Sequence, residues 1–322
     1  MKQKFPFAVG IELTGIRKDF SVAVDDEDND ALTEAASKLV SAKMAKRYPK
    51  YYSIGNYRDI HCIEFPSPTF STLGEMKRFY DFTMAQFAHY HIAPHHPEVV
   101  CGGNHIHFEL NDLEWIRKIL RDSVRRPWIP WIFTQADDTD SCGNYDDEDL
   151  GVRMRKAKRY EKTKAANPDA DVYTAPYNYG FYHMLATNKP FPPDAWHGIT
   201  SSKDYAFSFD QYPSARSRRF KRHSQETALV LEIRCVEAPL NFDEMKDQLD
   251  FFIRYVHYVK ARPMPKGRLH LWKKAELQEI RRKDCVKEFY ALLHQLGLDP
   301  KRYEKYVRRN LYTRWTMKRK RV

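Results

Sequence analysis

Four short apolar runs, each carrying charged or imidazole side chains at alternate positions, constrain this chain most. Phe7–Leu13 contains Glu12, and Ile60–Phe65 contains Glu64. Asn104–Leu110 alternates His105, His107 and Glu109 with Ile106, Phe108 and Leu110, and Thr227–Glu237 places Glu232 and Arg234 two residues apart. A β-strand sends successive side chains to opposite faces, so groups at alternate positions share one face. An unpaired buried charge costs several kcal/mol. Four such strands therefore predict a sheet with one apolar and one polar face, the polar groups sharing a partner.

The remaining segments predict an α+β chain. Pro66-Ser67-Pro68 ends the second strand, because proline removes a ladder donor and fixes its own φ. A helix then begins at Ser71 or Thr72, with Leu73, Met76, Phe79, Tyr80, Thr83 and Phe87 along one buried face. Another helix is expected from about Ala31 to Lys46, after an acidic turn at Asp25 to Asp30 and capped by Asp30 or Thr33. Helices dominate the last third. Leu249, Phe252, Ile253 and Val256 mark one stripe; Leu277, Ile280, Phe289, Leu292, Leu293 and Leu296 mark another.

Residues 128–213 read as a loop-rich insertion, with an acidic stretch from Asp137 to Asp149 that lacks the ordered alternation of a calcium loop. The expected organisation is a catalytic domain over 1–260 and a helical extension over 261–322 ending in a basic tail. Histidines around Pro94, from His89 to His96, read as loop residues.

Charge distribution weighs against phosphate-backbone binding by the main body. The net charge is +11, but residues 301–322 hold ten Lys or Arg against one Glu, so the first 300 residues carry only +2. The tail and the Arg216–Arg222 run are the places where weak nucleic-acid contact is expected. A 42% hydrophobic, 14% aromatic composition excludes a disordered chain. No apolar run is long enough to span a membrane and the first residues lack a signal peptide's apolar segment. Five scattered cysteines without a C-x-x-C pair predict reduced thiols and a cytoplasmic setting.

Carboxylates from Glu12, Glu64 and Glu232 with an imidazole from His105 or His107 make a mixed oxygen and nitrogen shell suited to Mg²⁺ or Mn²⁺. The order of Gly10-Ile11-Glu12, Ile63-Glu64-Phe65-Pro66-Ser67-Pro68, Gly102-Gly103-Asn104-His105-Ile106-His107 and Leu231-Glu232-Ile233-Arg234 resembles the amidoligase family. These are ATP-dependent carboxylate-amine ligases related to glutamine synthetase and glutamate-cysteine ligase. The resemblance spans Val9 to about Asn241.

The resemblance implies a glutamine synthetase-like funnel of antiparallel strands holding ATP and Mg²⁺ or Mn²⁺. Glu12, Glu64, His107 and Glu232 would be metal ligands, and His105, His107 and Arg218 would face the nucleotide. Arg234, Arg219 and Arg222 would clamp the transferring phosphoryl group. The substrates would be a small-molecule or peptide carboxylate and an amine, joined through an acyl phosphate. One departure stands out: Thr14 occupies the place where the family's first strand commonly carries a second acidic residue. That leaves one metal shell short of a carboxylate, which Glu109, Glu237 or water would have to replace. Loss of the second metal would instead leave a binding or assembly protein that contacts nucleic acid through the basic loop and tail. A third expectation is a metal-dependent hydrolase using the same carboxylates and histidines.

Overall fold

The computed structural model describes residues 4–21, 23–24, 26–59, 62–94, 104–126, 128–133, 207–212, 228–269 and 282–312. Its centre is an antiparallel sheet built around a long first strand, β1 (Lys4–Arg17). The strands β2 (Arg58–Asp59), β3 (Cys62–Pro66), β6 (Asn104–Glu109), β7 (Phe207–Tyr212) and β8 (Ala228–Val236) join it in the order β2-β3-β1-β6-β8-β7. Two short strands, β4 (Phe70–Thr72) and β5 (Ile92–Ala93), also pair with β1. Every pairing is antiparallel. The α+β expectation with an antiparallel sheet and flanking helices therefore holds.

Alternation decides which face is core. Val9, Ile11 and Leu13 on β1 share a buried face with Ile63 and Phe65 on β3, Ile106 and Phe108 on β6, and Leu231 and Ile233 on β8. Helices α1 (Asp26–Arg47) and α2 (Leu73–His89) lie against β3 and β1. Helices α3 (Leu113–Arg125) and α5 (Phe242–Lys260) pack on each other, with Trp115 Nε1 donating to the Val256 carbonyl at 2.7 Å. Gly15 is where β1 meets α2 and β5 most closely: a Cβ there would lie 2.6 Å from Ile92 Cγ2 and 3.0 Å from Phe87 Cε2.

Helix α2 begins as its residues dictate. Thr72 Oγ1 accepts from the Glu75 amide at 3.2 Å, and Glu75 Oε2 accepts from the Thr72 amide at 3.1 Å, a reciprocal capping box. All six residues of its expected stripe are buried. Helix α1, by contrast, starts four residues before Asp30, so neither Asp30 nor Thr33 caps it. The acidic run read as a turn is its first turn, where negative charge meets the positive end of the helix dipole. Thr33 Oγ1 instead donates to the Asn29 carbonyl inside the helix at 2.7 Å.

Two parts of the 128–213 stretch belong to the sheet and its core. The short helix α4 (Ile129–Phe133) buries Ile129, Trp131, Ile132 and Phe133, and β7 extends the sheet beyond β8. Of the C-terminal part, α6 (Arg282–Gln295), α7 (Pro300–Tyr306) and its π-helical continuation Val307–Tyr312 contribute Phe289, Leu292, Leu293, Tyr303 and Tyr306 to the same core.

Arg302, Lys305, Arg308 and Arg309 at this end each meet a carboxylate. Arg302 meets Asp250 at 2.9 Å, Lys305 meets Asp247 at 2.7 Å, and Arg309 pairs with Glu237 and Glu244. The part of the basic tail over 301–312 is thus a packed element in which Arg302, Lys305 and Arg309 are matched from α5 and from Glu237 just after β8, and 313–322 lie outside the described residues. No helix among the described residues is long and apolar enough to cross a membrane. Among the described cysteines, Cys62, Cys235 and Cys285 form no disulfide.

Candidate metal centre

The other face of the sheet gathers the polar groups. Glu12 on β1 stands directly opposite His105 on β6, and His107 stands opposite Glu232 on β8. These pairings put four side chains from three adjacent strands into one patch, each less than a tenth exposed: Glu12 3%, His105 8%, His107 1% and Glu232 6%. One potential ligand atom from each can be chosen so that all four lie within 4.8 Å of one another.

The contacts inside the patch form a connected chain. His105 Nδ1 lies 2.7 Å from Glu12 Oε2 and 3.2 Å from Glu232 Oε1. The same Glu232 oxygen is 3.2 Å from His107 Nε2 and accepts from Arg234 Nη1 at 2.9 Å. Burial disfavours the imidazolium of His105, but bonds to the Glu12 and Glu232 carboxylates outweigh it and push its pKa up to about 9. Burial likewise opposes ionisation of Glu232, yet the bonds from His105 and His107 hold its carboxyl well below the usual range. A proton on His105 therefore ties the two carboxylates together where a cation would otherwise do so.

Arg234 reaches Glu232 because the two stand two residues apart on one face of β8, which is irregular just beyond Ile233. Between Asn104 and Ile106 on β6, the partner positions on β8 run from Val236 to Ile233, so β8 carries one extra residue at Arg234–Cys235. Such a bulge re-aims a side chain and bends the strand, and it is common beside functional sites. The guanidinium is consequently held at the edge of the patch with 13% of its side chain exposed.

The donor set fits a divalent cation. Metal bonds of about 2.1 Å set adjacent ligands about 3 Å apart and opposite ones about 4.2 Å apart in an octahedron. The observed separations approach those values and call for small side-chain adjustments rather than a rebuilt backbone. Of the two ions expected from the sequence, Mn²⁺ accepts two imidazoles more readily than Mg²⁺.

Not every expected residue joins the patch. Glu64 is half-buried on the same face but stands opposite Thr14, two residues along β1 from Glu12, and lies outside the four-residue cluster. Thr14 itself is buried, its amide donating to Asn104 Oδ1 at 3.3 Å. Arg218, Arg219 and Arg222 fall outside the described residues, as do Gly102 and Gly103. His105 takes a more central place than its expected nucleotide-facing role implies, since it bridges both carboxylates. The signal for this is its register opposite Glu12, which strand alternation alone does not supply. Strand β7, whose Ser208 is in register with Glu232, also escaped sequence reasoning, although Phe207 and Phe209 alternate with Ser208 and Asp210.

No protein-family model matches this chain, and no curated protein does. Among solved structures it is similar to a crystal structure of the complex between the prokaryotic ubiquitin-like protein Pup and its ligase PafA. The identity is 8% and the TM-score 0.42, covering 97% of this chain and 65% of that one. The chain thus spans just under two thirds of the length of that protein, and a likeness this slight carries no argument about activity.

Proposed function

We propose that this chain is an ATP-dependent ligase that joins a carboxylate to an amine through an acyl phosphate. The observation that supports this best is the convergence of Glu12, His105, His107 and Glu232, with Arg234 beside them, on the polar face of an antiparallel sheet. That arrangement agrees with the metal-lined strand funnel implied by the family resemblance.

In this reading a carboxylate oxygen of the substrate attacks the γ-phosphorus of ATP and ADP leaves. The amine then attacks the acyl carbon, forming the amide and releasing phosphate, with one proton lost from the amine nitrogen. A divalent cation held by the cluster would withdraw charge from the phosphoryl oxygens during transfer. Arg234 offers a fixed guanidinium at the cluster's edge, where it orients the oxygens and stabilises charge that develops on them. Glu232 keeps Arg234 in place while serving the cluster, so one carboxylate couples cation and clamp. Glu64, Arg218, Arg219 and Arg222 keep, as part of this proposal, the ligand and clamp roles that the resemblance implies.

The second imidazole favours one competing reading, a metal-dependent hydrolase with water as nucleophile. Purified chain incubated with ATP, Mg²⁺ or Mn²⁺, and a panel of amino acids, peptides and polyamines separates the two. The ligase reading expects ADP release only when both a carboxylate and an amine are present, with the condensed product visible by mass. Absence of ATP binding with either ion overturns it.

A further inference from the structure

Mg²⁺ is bound through oxygen, usually by one or two carboxylates with several retained waters, and it loses those waters reluctantly. The cluster offers something different: two imidazole nitrogens and two carboxylates, all nearly buried, on three adjacent strands whose pairing sets Glu12 opposite His105 and His107 opposite Glu232. Imidazole donors suit Fe²⁺, Ni²⁺ and Zn²⁺, and affinity for mixed nitrogen and oxygen sites rises from Mn²⁺ through Fe²⁺ and Co²⁺ along the first row.

We infer that Glu12, His105, His107 and Glu232 hold a resident first-row transition ion in preference to Mg²⁺, and hold it without nucleotide. This rests on the proposed site but not on its reaction: the Mg²⁺ that accompanies ATP would be a separate ion, arriving and leaving with the nucleotide. His107 is the residue that sets the preference. With His105 alone, the set would have a single nitrogen among oxygens; His107 adds a second nitrogen, 3.2 Å from the Glu232 oxygen it would share the ion with.

The test uses the full chain, stripped with chelator and titrated calorimetrically with Zn²⁺, Mn²⁺ and Mg²⁺ in the absence of nucleotide. Co²⁺ serves as a spectroscopic probe of nitrogen and oxygen ligation. One ion per chain is expected, with Zn²⁺ and Co²⁺ tighter than Mn²⁺ and Mg²⁺, which prefers oxygen and dehydrates reluctantly, the weakest of the four. His107→Gln should weaken Zn²⁺ and Co²⁺ by about 10- to 100-fold, shift the Co²⁺ bands and leave Mg²⁺ binding as it was. His89→Ala, at an exposed histidine away from the cluster, should change nothing.

Mg²⁺ binding as tight as Mn²⁺ overturns the inference, as does Zn²⁺ binding that survives in both His107→Gln and Glu12→Gln. The wild-type selectivity decides the matter even if a variant fails to fold. If the selectivity appears but ATP is never turned over, the ligase reading falls and this one stands. ATP turnover on Mg²⁺ with no transition ion bound gives the converse.

Discussion

Replacing Glu232 by glutamine tests the physical logic of the patch with the smallest change of shape. The Glu232 carboxylate oxygen is shared by His105 at 3.2 Å, His107 at 3.2 Å and Arg234 at 2.9 Å, in a residue only 6% exposed. Removing its charge leaves Arg234 and a protonated His105 facing one carboxylate fewer. Breaking a buried pair typically costs 3–5 kcal/mol, and the amide keeps one acceptor, so the lower figure of about 3 kcal/mol is expected for the metal-free protein. That is a large part of the ~5–15 kcal/mol by which domains are stable.

The sign of the pH dependence follows from the direction of the Glu232 shift. Its folded pKa lies well below the ordinary value, so its contribution is fully present above about pH 4.3 and is lost as pH falls through the folded pKa. Urea melts of wild type and Glu232→Gln, with chelator present, should differ by about 3 kcal/mol at pH 7 and draw progressively together as pH falls below about 4. A difference under about 0.5 kcal/mol at pH 7, or one that stays constant down to pH 3, refutes the reasoning.

Three further outcomes are expected. His105, with its pKa raised to about 9, stabilises the metal-free fold fully below about pH 6.5 and loses that contribution as pH rises through about 9, so His105→Gln should flatten the alkaline limb of a stability profile. Gly15→Ala places a methyl 2.6 Å from Ile92 Cγ2 and should cost about 1–3 kcal/mol by denaturant melt; combining it with Ile92→Ala should give a loss smaller than the sum of the two. Arg309→Met removes the cation between Glu237 and Glu244, both buried, and should cost about 3–5 kcal/mol, far more than Arg308→Met at an exposed position.

Much of the polar face was legible in the sequence because a strand's period of two maps residue type directly onto side. His105 and His107 opposite Ile106 and Phe108, and Glu232 with Arg234, were placed correctly by that rule alone. Thr72, one of the two expected starts of α2, is its N-cap, completed by a reciprocal bond with Glu75 that sequence reasoning did not name. Long-range pairing carries no such local mark. That His105 faces Glu12 depends on β1 and β6 being neighbours, 93 residues apart in sequence. The offset of Glu64 to Thr14 depends on a register that proline and serine set downstream, where Ser67 Oγ accepts from the Ile11 amide at 2.9 Å.

The acidic partners of Arg302, Lys305 and Arg309 were illegible for the same reason. Asp247, Asp250, Glu237 and Glu244, which neutralise Arg302, Lys305 and Arg309, lie about fifty to seventy residues upstream and meet them only once α7 packs on α5. Helix α1 was misjudged at its start because a run of aspartates serves equally as a turn or as a favourable first turn, and the choice is made by packing.

The central claim is that the strand-borne cluster serves phosphoryl transfer to a carboxylate, and trapping the intermediate tests it most directly. The chain would be incubated with ATP, divalent cation and pooled amino acids and peptides in the presence of hydroxylamine, which converts an acyl phosphate into a stable hydroxamate. Hydroxamate and ADP should form in equal amounts with the wild type and be lost together in Glu232→Gln at a temperature where the variant remains folded. ADP without hydroxamate, or equal yields from wild type and variant, would contradict it.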